Sequence, residues 1–206
     1  TDMLVTFNIV GRKKLERLTA LARRTQISVV ADNAEVVAGL AEAGRNAGRK
    51  IVVLVECDTG AHRNGAQSPQ AALELAQTID RTPGLECGGL MTYAGVGQRL
   101  QAEKFLVEAR ELCRAAGLET KVITSGGSPD MWKDEGLSQL TEYRAGTYIY
   151  FDRSLAERGT CAYSDCAVQV LATVVSRPTS ERALIDAGTK SLTSDLLGLQ
   201  GYGAAH

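Results

Sequence analysis

The sequence predicts an α/β fold: a partial (β/α)8 TIM-type barrel of about six strand–helix units, followed by an antiparallel β segment. Three observations predict it. Short apolar runs rich in β-branched residues recur, with amphipathic helical stretches between them, the pattern of parallel strands covered by helices. Polar, glycine-containing stretches follow the C-terminal ends of those runs, where barrels of this kind build their sites. After about Asp152 the helical stretches give way to alternating β-branched segments. A doubly wound sheet is the alternative, weakened because no G-x-G-x-x-G fingerprint follows the first strand.

The first strand is expected over Leu4 to Ile9, followed by a helix from Lys13 to Arg24 with Leu15, Leu18, Leu21 and Ala22 on one face. Ile27 to Ala31 is the second strand. Asp32-Asn33 then caps a helix through Ala47. Ile51 to Glu56 is a buried third strand, and Ser68-Pro69 opens a helix to about Ile79. Gly88 to Tyr93 is the fourth strand, before a helix from about Gln101 to Ala116. Lys121 to Thr124 is the fifth strand, followed by a Ser-Gly-Gly-Ser-Pro turn and a short helix including Met131 and Trp132. Glu142 to Tyr150 carries the sixth. Ala167 to Ser176 and Arg182 to Asp186 read as antiparallel strands, with a turn at Ser176–Ser180. The expected division is a barrel portion over residues 1–155 and the start of a C-terminal β domain over residues 160–206. The chain opens abruptly in a strand, as an excised fragment does, and an eight-unit barrel would place two further units before Thr1.

The composition narrows the function classes. With 206 residues, 44% hydrophobic and 23% charged, the chain is a globular one. A net charge of −1 offers no basic stripe for nucleic acid. No apolar run of about 18 residues is present to span a membrane. Five cysteines without a C-x-x-C pair, and no signal peptide, lead to an expectation of free thiols and a cytoplasmic location.

The expected strand ends supply Asn8, Asp32, Asp58 to Arg63, Thr92-Tyr93, Ser125 to Gly127 and Gly146 to Tyr148, converging on one mouth. In Ser125-Gly126-Gly127, glycines let backbone N–H groups face an anion and the hydroxyl adds a donor, so phosphate is a natural guest. An ordinary tight turn is the competing reading. Arg144-Ala145-Gly146-Thr147 offers further amides. Arg63 is a fixed cation for a phenolate or carboxylate, or else a surface partner of Asp58. Tyr93 presents a hydroxyl at the mouth, or is a half-buried aromatic. His62 reads as a solvated bystander, and Asp186 with Lys190 as a turn with an ion pair.

The ordered segments D-T-G-x-x-R-x-G, M-T-Y-A-G, S-G-G-S-P, E-Y-R-A-G-T-Y-x-x-x-D and D-A-G-x-K-S-L-x-x-D together resemble the fold-type III pyridoxal-phosphate (PLP) enzymes. Within them the match is to the D-threonine aldolase and D-serine dehydratase group, with its alanine racemase-like barrel. The resemblance implies that Ser125, Gly126 and Gly127, with the amides near Gly146 and Thr147 and the hydroxyl of Tyr148, form the cofactor's phosphate cup. It implies that Arg63 lies near the ring's phenolic oxygen, that Tyr93 lines the pocket, and that Arg144 stands near the pyridine nitrogen. It further implies retro-aldol cleavage or dehydration of D-β-hydroxy amino acids, with racemization or non-catalytic phosphate binding as alternatives, and a divalent metal as Lewis acid.

Two parts of the family pattern are not found. The upstream R-P-H-x-K-T-H-like segment that carries the Schiff-base lysine is absent, and His206 is not in the E-H-G context of the metal ligands. The expectations are therefore that these 206 residues alone are inactive, and that open sheet edges favour a homodimer.

Overall fold

A computed structural model describes residues 2–133 and 138–204. It divides into two units, Thr1–Gly127 with Lys133–Arg144, and Ser128–Trp132 with Ala145–His206.

In the first unit, β1 (Asp2–Val5), β2 (Gln26–Ala31), β3 (Ile51–Cys57), β4 (Leu85–Thr92), β5 (Val122–Ser125) and β6 (Glu142–Tyr143) form one sheet in strict chain order. Each pairs in parallel with the next. An order without reversal is barrel winding, whereas a doubly wound sheet reverses at a switch point. The sheet is therefore a curled half-barrel and the doubly wound alternative is set aside. Between the strands run α1 (Arg12–Ala22), α2 (Ala34–Ala47), α3 (Pro69–Arg81) and α4 (Arg99–Ala115). Their starts follow the sequence. Asn33 Oδ1 accepts from Val36 N at 2.9 Å, and Ser68 Oγ accepts from Ala71 N at 3.1 Å ahead of Pro69.

Side chains alternate across the strands with period two. Val29, Val53, Leu90 and Ile123 pack with the helix residues Leu18, Val36, Leu40, Ile79 and Leu106. Their neighbours Val30, Leu54 and Met91, joined by Leu4 and Val122, form a second cluster on the face away from the helices. In β4 the pairing skips Gly88, since Val53 faces Cys87 while Leu54 faces Gly89. Gly89 takes φ +142, and a Cβ there would lie 1.9 Å from the carbonyl oxygen of Val122. Only glycine admits this bulge.

The second unit contains α5 (Arg153–Glu157), the 3-10 turns Ser128–Asp130, Thr147–Ile149 and Tyr163–Asp165, and an antiparallel hairpin of β7 (Val174–Thr179) and β8 (Arg182–Ile185). Asp152 caps α5 by accepting from Leu155 N at 3.0 Å.

Several expected boundaries move. The first strand ends at Val5, and the chain beyond it turns so that Asn8 donates to Asp32 at 2.7 Å. The sixth strand is only Glu142–Tyr143, because the following Arg144-Ala145-Gly146 leads into a 3-10 turn. Met131 and Trp132 follow the Ser128–Asp130 turn instead of lying in a helix. The hairpin turn is at Ser180-Glu181, since Thr179 pairs with Arg182 and Ser176–Thr179 are strand. Pro178 is accommodated on an exposed strand of this two-stranded sheet. Among the described residues, no helix is long and apolar enough to cross a membrane.

Candidate functional site

The strand ends of the first unit carry the chemistry. Continuing the alternation of Val30, Leu54, Met91 and Val122 along their strands places Asp32, Glu56, Tyr93 and Thr124 on the same face, one step further. An apolar layer is thus followed by a polar one at the C-terminal edge.

Glu56 is 2% exposed. Its Oε2 accepts from Asn64 Nδ2 at 2.6 Å. Burial, with the charge of Asp32 beside it, pushes its pKa up to about 7, against the opposing pull of Arg63, Arg144 and the Asn64 amide. Asp32 accepts from Asn8 and Asn33 side chains, both at 2.7 Å, and from Gly65 N at 3.2 Å. These contacts tie the end of β2 to the Asp58–Gly65 loop.

Asp58 organises that loop. Burial alone would raise its carboxyl, but N–H groups of Gly60 (3.0 Å) and His62 (3.1 Å), with Gln67, outweigh this and hold it below its ordinary value. Arg63 lays its guanidinium over the Tyr93 ring, 4.8 Å from the centroid. His62 is exposed and contributes its backbone N–H to Asp58.

Arg144 is half-buried. It donates from Nε to Thr124 Oγ1 at 3.0 Å and from Nη2 to the Thr92 carbonyl at 2.6 Å. Thr92 Oγ1 donates to the Cys57 carbonyl at 2.8 Å, so Thr59, 2.9 Å away, donates to Thr92. Burial lowers the Arg144 pKa from its usual value, opposed by Glu56 and Glu142. One guanidinium thus braces the ends of β4 and β5.

Beside it lies the Ser125-Gly126-Gly127 turn. The Ser125 carbonyl accepts from Arg144 N at 2.8 Å. The Ser125 side chain is fully buried and its Oγ has no hydrogen-bond partner among the described residues. A buried hydroxyl without a partner costs free energy, which a ligand oxygen there would recover. Gly126 takes φ +141, and a Cβ would stand 2.4 Å from Arg144 O and 2.5 Å from Arg144 N. The Gly127 carbonyl accepts from the Tyr143 hydroxyl at 2.9 Å. This turn suits an anion with several oxygens, as a phosphate group has.

Gly146, Thr147 and Tyr148 belong to the second unit and are exposed. There the N–H of Tyr148 donates to Ser128 Oγ at 3.1 Å. Asp186 closes the base of the hairpin by accepting from Thr173 N at 2.8 Å. Among the described residues no group of three or more His, Cys, Asp or Glu could hold a metal ion; His206 lies outside them. All five cysteines are free; Cys57, Cys87 and Cys113 are buried.

Arg63, Tyr93 and Ser125–Gly127 were legible as strand-end residues, whereas Arg144 was read on the sixth strand and given its role by the resemblance. Glu56 was not singled out. Its signal was a carboxylate at an inward position of an otherwise apolar strand.

Residues 6–154 match the family model of the alanine racemase N-terminal domain, and residues 167–206 that of a putative serine dehydratase domain. The chain is 34% identical to a D-threonine aldolase of Arthrobacter sp over 94% of its own length and 55% of the relative's. It is 31% identical to a D-threo-3-hydroxyaspartate dehydratase of Delftia sp., over 95% and 55%. The structure superimposes on the crystal structure of D-threonine aldolase from Filomicrobium marinum with a TM-score of 0.80 and 29% identity, covering 95% of this chain and 57% of that one. The chain therefore spans about half the length of these relatives.

Proposed function

The chain belongs to the alanine racemase N-terminal domain family, in its fold-type III, D-threonine aldolase-like group, and from that premise we propose that it is part of a pyridoxal-phosphate-dependent lyase. The proposed substrates are D-β-hydroxy amino acids, cleaved by retro-aldol reaction or dehydrated, as the names of the relatives suggest. The barrel portion over residues 1–155, the β portion over residues 160–206 and a cytoplasmic location are part of the same reading.

The observation that carries it is the buried, unpartnered Ser125 hydroxyl beside a glycine at φ +141 whose Cβ would strike the Arg144 backbone. These residues fit the cofactor's phosphate. In this reading Ser125 Oγ and the N–H groups of Gly126 and Gly127 bind its oxygens. The resemblance assigns Gly146, Thr147 and Tyr148 to the same phosphate. Arg63, held flat by Tyr93, provides a fixed cation for the phenolic oxygen. Arg144 holds β4 and β5 in place and provides the charge near the ring nitrogen. Glu56 keeps a titratable proton within the field of both arginines. When bound, the cofactor supplies an electron sink for bond cleavage at the substrate's α-carbon. The resemblance implies a divalent cation as well, but no ligand group for it stands among the described residues.

The lysines bear on activity. Lys13 and Lys14 lie on α1 and Lys104 on α4; Lys50 and Lys121 precede β3 and β5, at the sheet edge opposite Ser125. Lys133 follows the Ser128–Asp130 turn and Lys190 follows β8. None stands at a strand end of the polar layer, so we propose that residues 1–206 bind the cofactor non-covalently and do not turn over alone. Equilibrium dialysis should show saturable PLP binding that inorganic phosphate displaces, with no pyridoxyl-lysine after borohydride. Absence of saturable binding sinks the cofactor assignment, and a stoichiometric pyridoxyl adduct at one lysine sinks the non-covalent part.

β1 and β6 have one neighbour each among the described strands. Unpaired edges favour self-association, so a homodimer is proposed. Sedimentation velocity at high concentration should show it; a single monomeric boundary would contradict it.

A further inference from the structure

Outside this site, the second unit brings two thiols together. Cys161 and Cys166 are both half-exposed, unlike the three buried cysteines. Cys161 and Cys166 flank the Tyr163–Asp165 turn, with the Cys166 thiol among the close neighbours of the Cys161 thiol. The backbone between them is fastened into a closed turn. Ala162 N donates to Asp165 Oδ2 at 2.8 Å, Asp165 N to the Ala162 carbonyl at 3.1 Å, and Cys166 N to the Tyr163 carbonyl at 3.1 Å. The flanks are fastened too. Thr160 donates from Oγ1 to the Pro129 carbonyl at 2.9 Å and accepts from Trp132 Nε1 at 2.9 Å. Ala167 N donates to the Tyr150 carbonyl at 2.8 Å.

We propose that Cys161 and Cys166 form a reversible dithiol modification site, closing to an intrachain disulfide in the presence of a small-molecule disulfide oxidant. One thiolate attacks a sulfur of the oxidant, forming a mixed disulfide and releasing one thiol of the oxidant. The second cysteine, as thiolate, then attacks the protein sulfur of that mixed disulfide and releases the other thiol. The protein loses two protons and two electrons, and the oxidant is reduced to two thiols. The turn sets the approach, since its fastened backbone holds the two cysteines at its two ends with four residues between them. Burial first, then Cys166 and Asp165, with Asp152 last, raise the Cys161 thiol above its ordinary value, and attack needs the thiolate, so closure accelerates as pH rises. Closure would lock the Thr160 anchor to the Ala167–Tyr150 anchor, and so stiffen the segment that carries Thr147 and Tyr148.

The test uses the folded chain and oxidised glutathione, with mass mapping under non-reducing conditions. Trypsin leaves both cysteines on one peptide, Gly159 to Arg182, because Pro178 protects the bond after Arg177. That peptide should lose two hydrogens, faster at higher pH, and regain them with a reductant. Cys161→Ser should instead hold a glutathione adduct on Cys166, and Cys166→Ser one on Cys161. Two independent adducts in the native chain, unreacted thiols, or a disulfide-linked dimer would each overturn the proposal.

Discussion

Glu56→Gln is expected to make the protein more stable than the native chain above about pH 8, by on the order of 3 kcal/mol, with little difference below about pH 4.5. The sign follows from the raised pKa. The folded state holds the Glu56 proton up to about pH 7, while the unfolded chain releases it near 4.5. Between those values the native state binds more protons than the unfolded state, so stability falls as pH rises. The favourable neutral form is fully present below 4.5 and is lost as pH passes 7. Glutamine imitates that neutral form, and its carbonyl can still accept from Asn64. Other titrating groups are shared by both proteins, so the difference between their urea midpoints isolates this carboxyl. A difference that stays constant from acid to alkaline pH would show that burial beside Asp32 does not govern Glu56.

Gly126→Ala is expected to cost the first unit about 3 kcal/mol or more. Two penalties coincide. The residue sits at φ +141, and its new methyl would meet the backbone O and N of Arg144, which cannot move as a flexible side chain does. Relief would require β5 and β6 to separate where Arg144 N donates to the Ser125 carbonyl. The same shift would carry the guanidinium off Thr124 and the Thr92 carbonyl. The variant should therefore lose cofactor binding under conditions where it is still folded. Far-UV circular dichroism melts give the stability arm and dialysis gives the binding arm. An alanine variant with native melting and native binding would remove the steric argument.

Local rules carried most of the first unit. Asn33 and Ser68-Pro69 fix where α2 and α3 begin, and the apolar runs fix β2, β3 and β4. What escaped were effects that depend on a neighbour. β1 ends at Val5, and the chain beyond it turns to bring Asn8 to Asp32, just past the end of β2. The bulge at Gly88-Gly89 exists because the Val122 carbonyl approaches too closely for a side chain. Apolar Tyr148-Ile149-Tyr150 suggested a strand, yet they form a 3-10 turn with Tyr148 N directed to Ser128. The site shows the same division. The position of Ser125 was legible from its turn, but its unpartnered hydroxyl was not, since that depends on what surrounds it.

The central claim is that the Ser125–Gly127 turn receives the phosphate of pyridoxal phosphate. Phosphorus-31 NMR of the cofactor, titrated with the native chain and with Ser125→Ala, tests it most directly. The account predicts a saturable shift or broadening of the phosphate resonance with the native chain. With the variant the effect should weaken by about tenfold, the loss of one charge-assisted hydrogen bond, while the fold is unchanged. An identical titration with both proteins, or no effect with either, would contradict it.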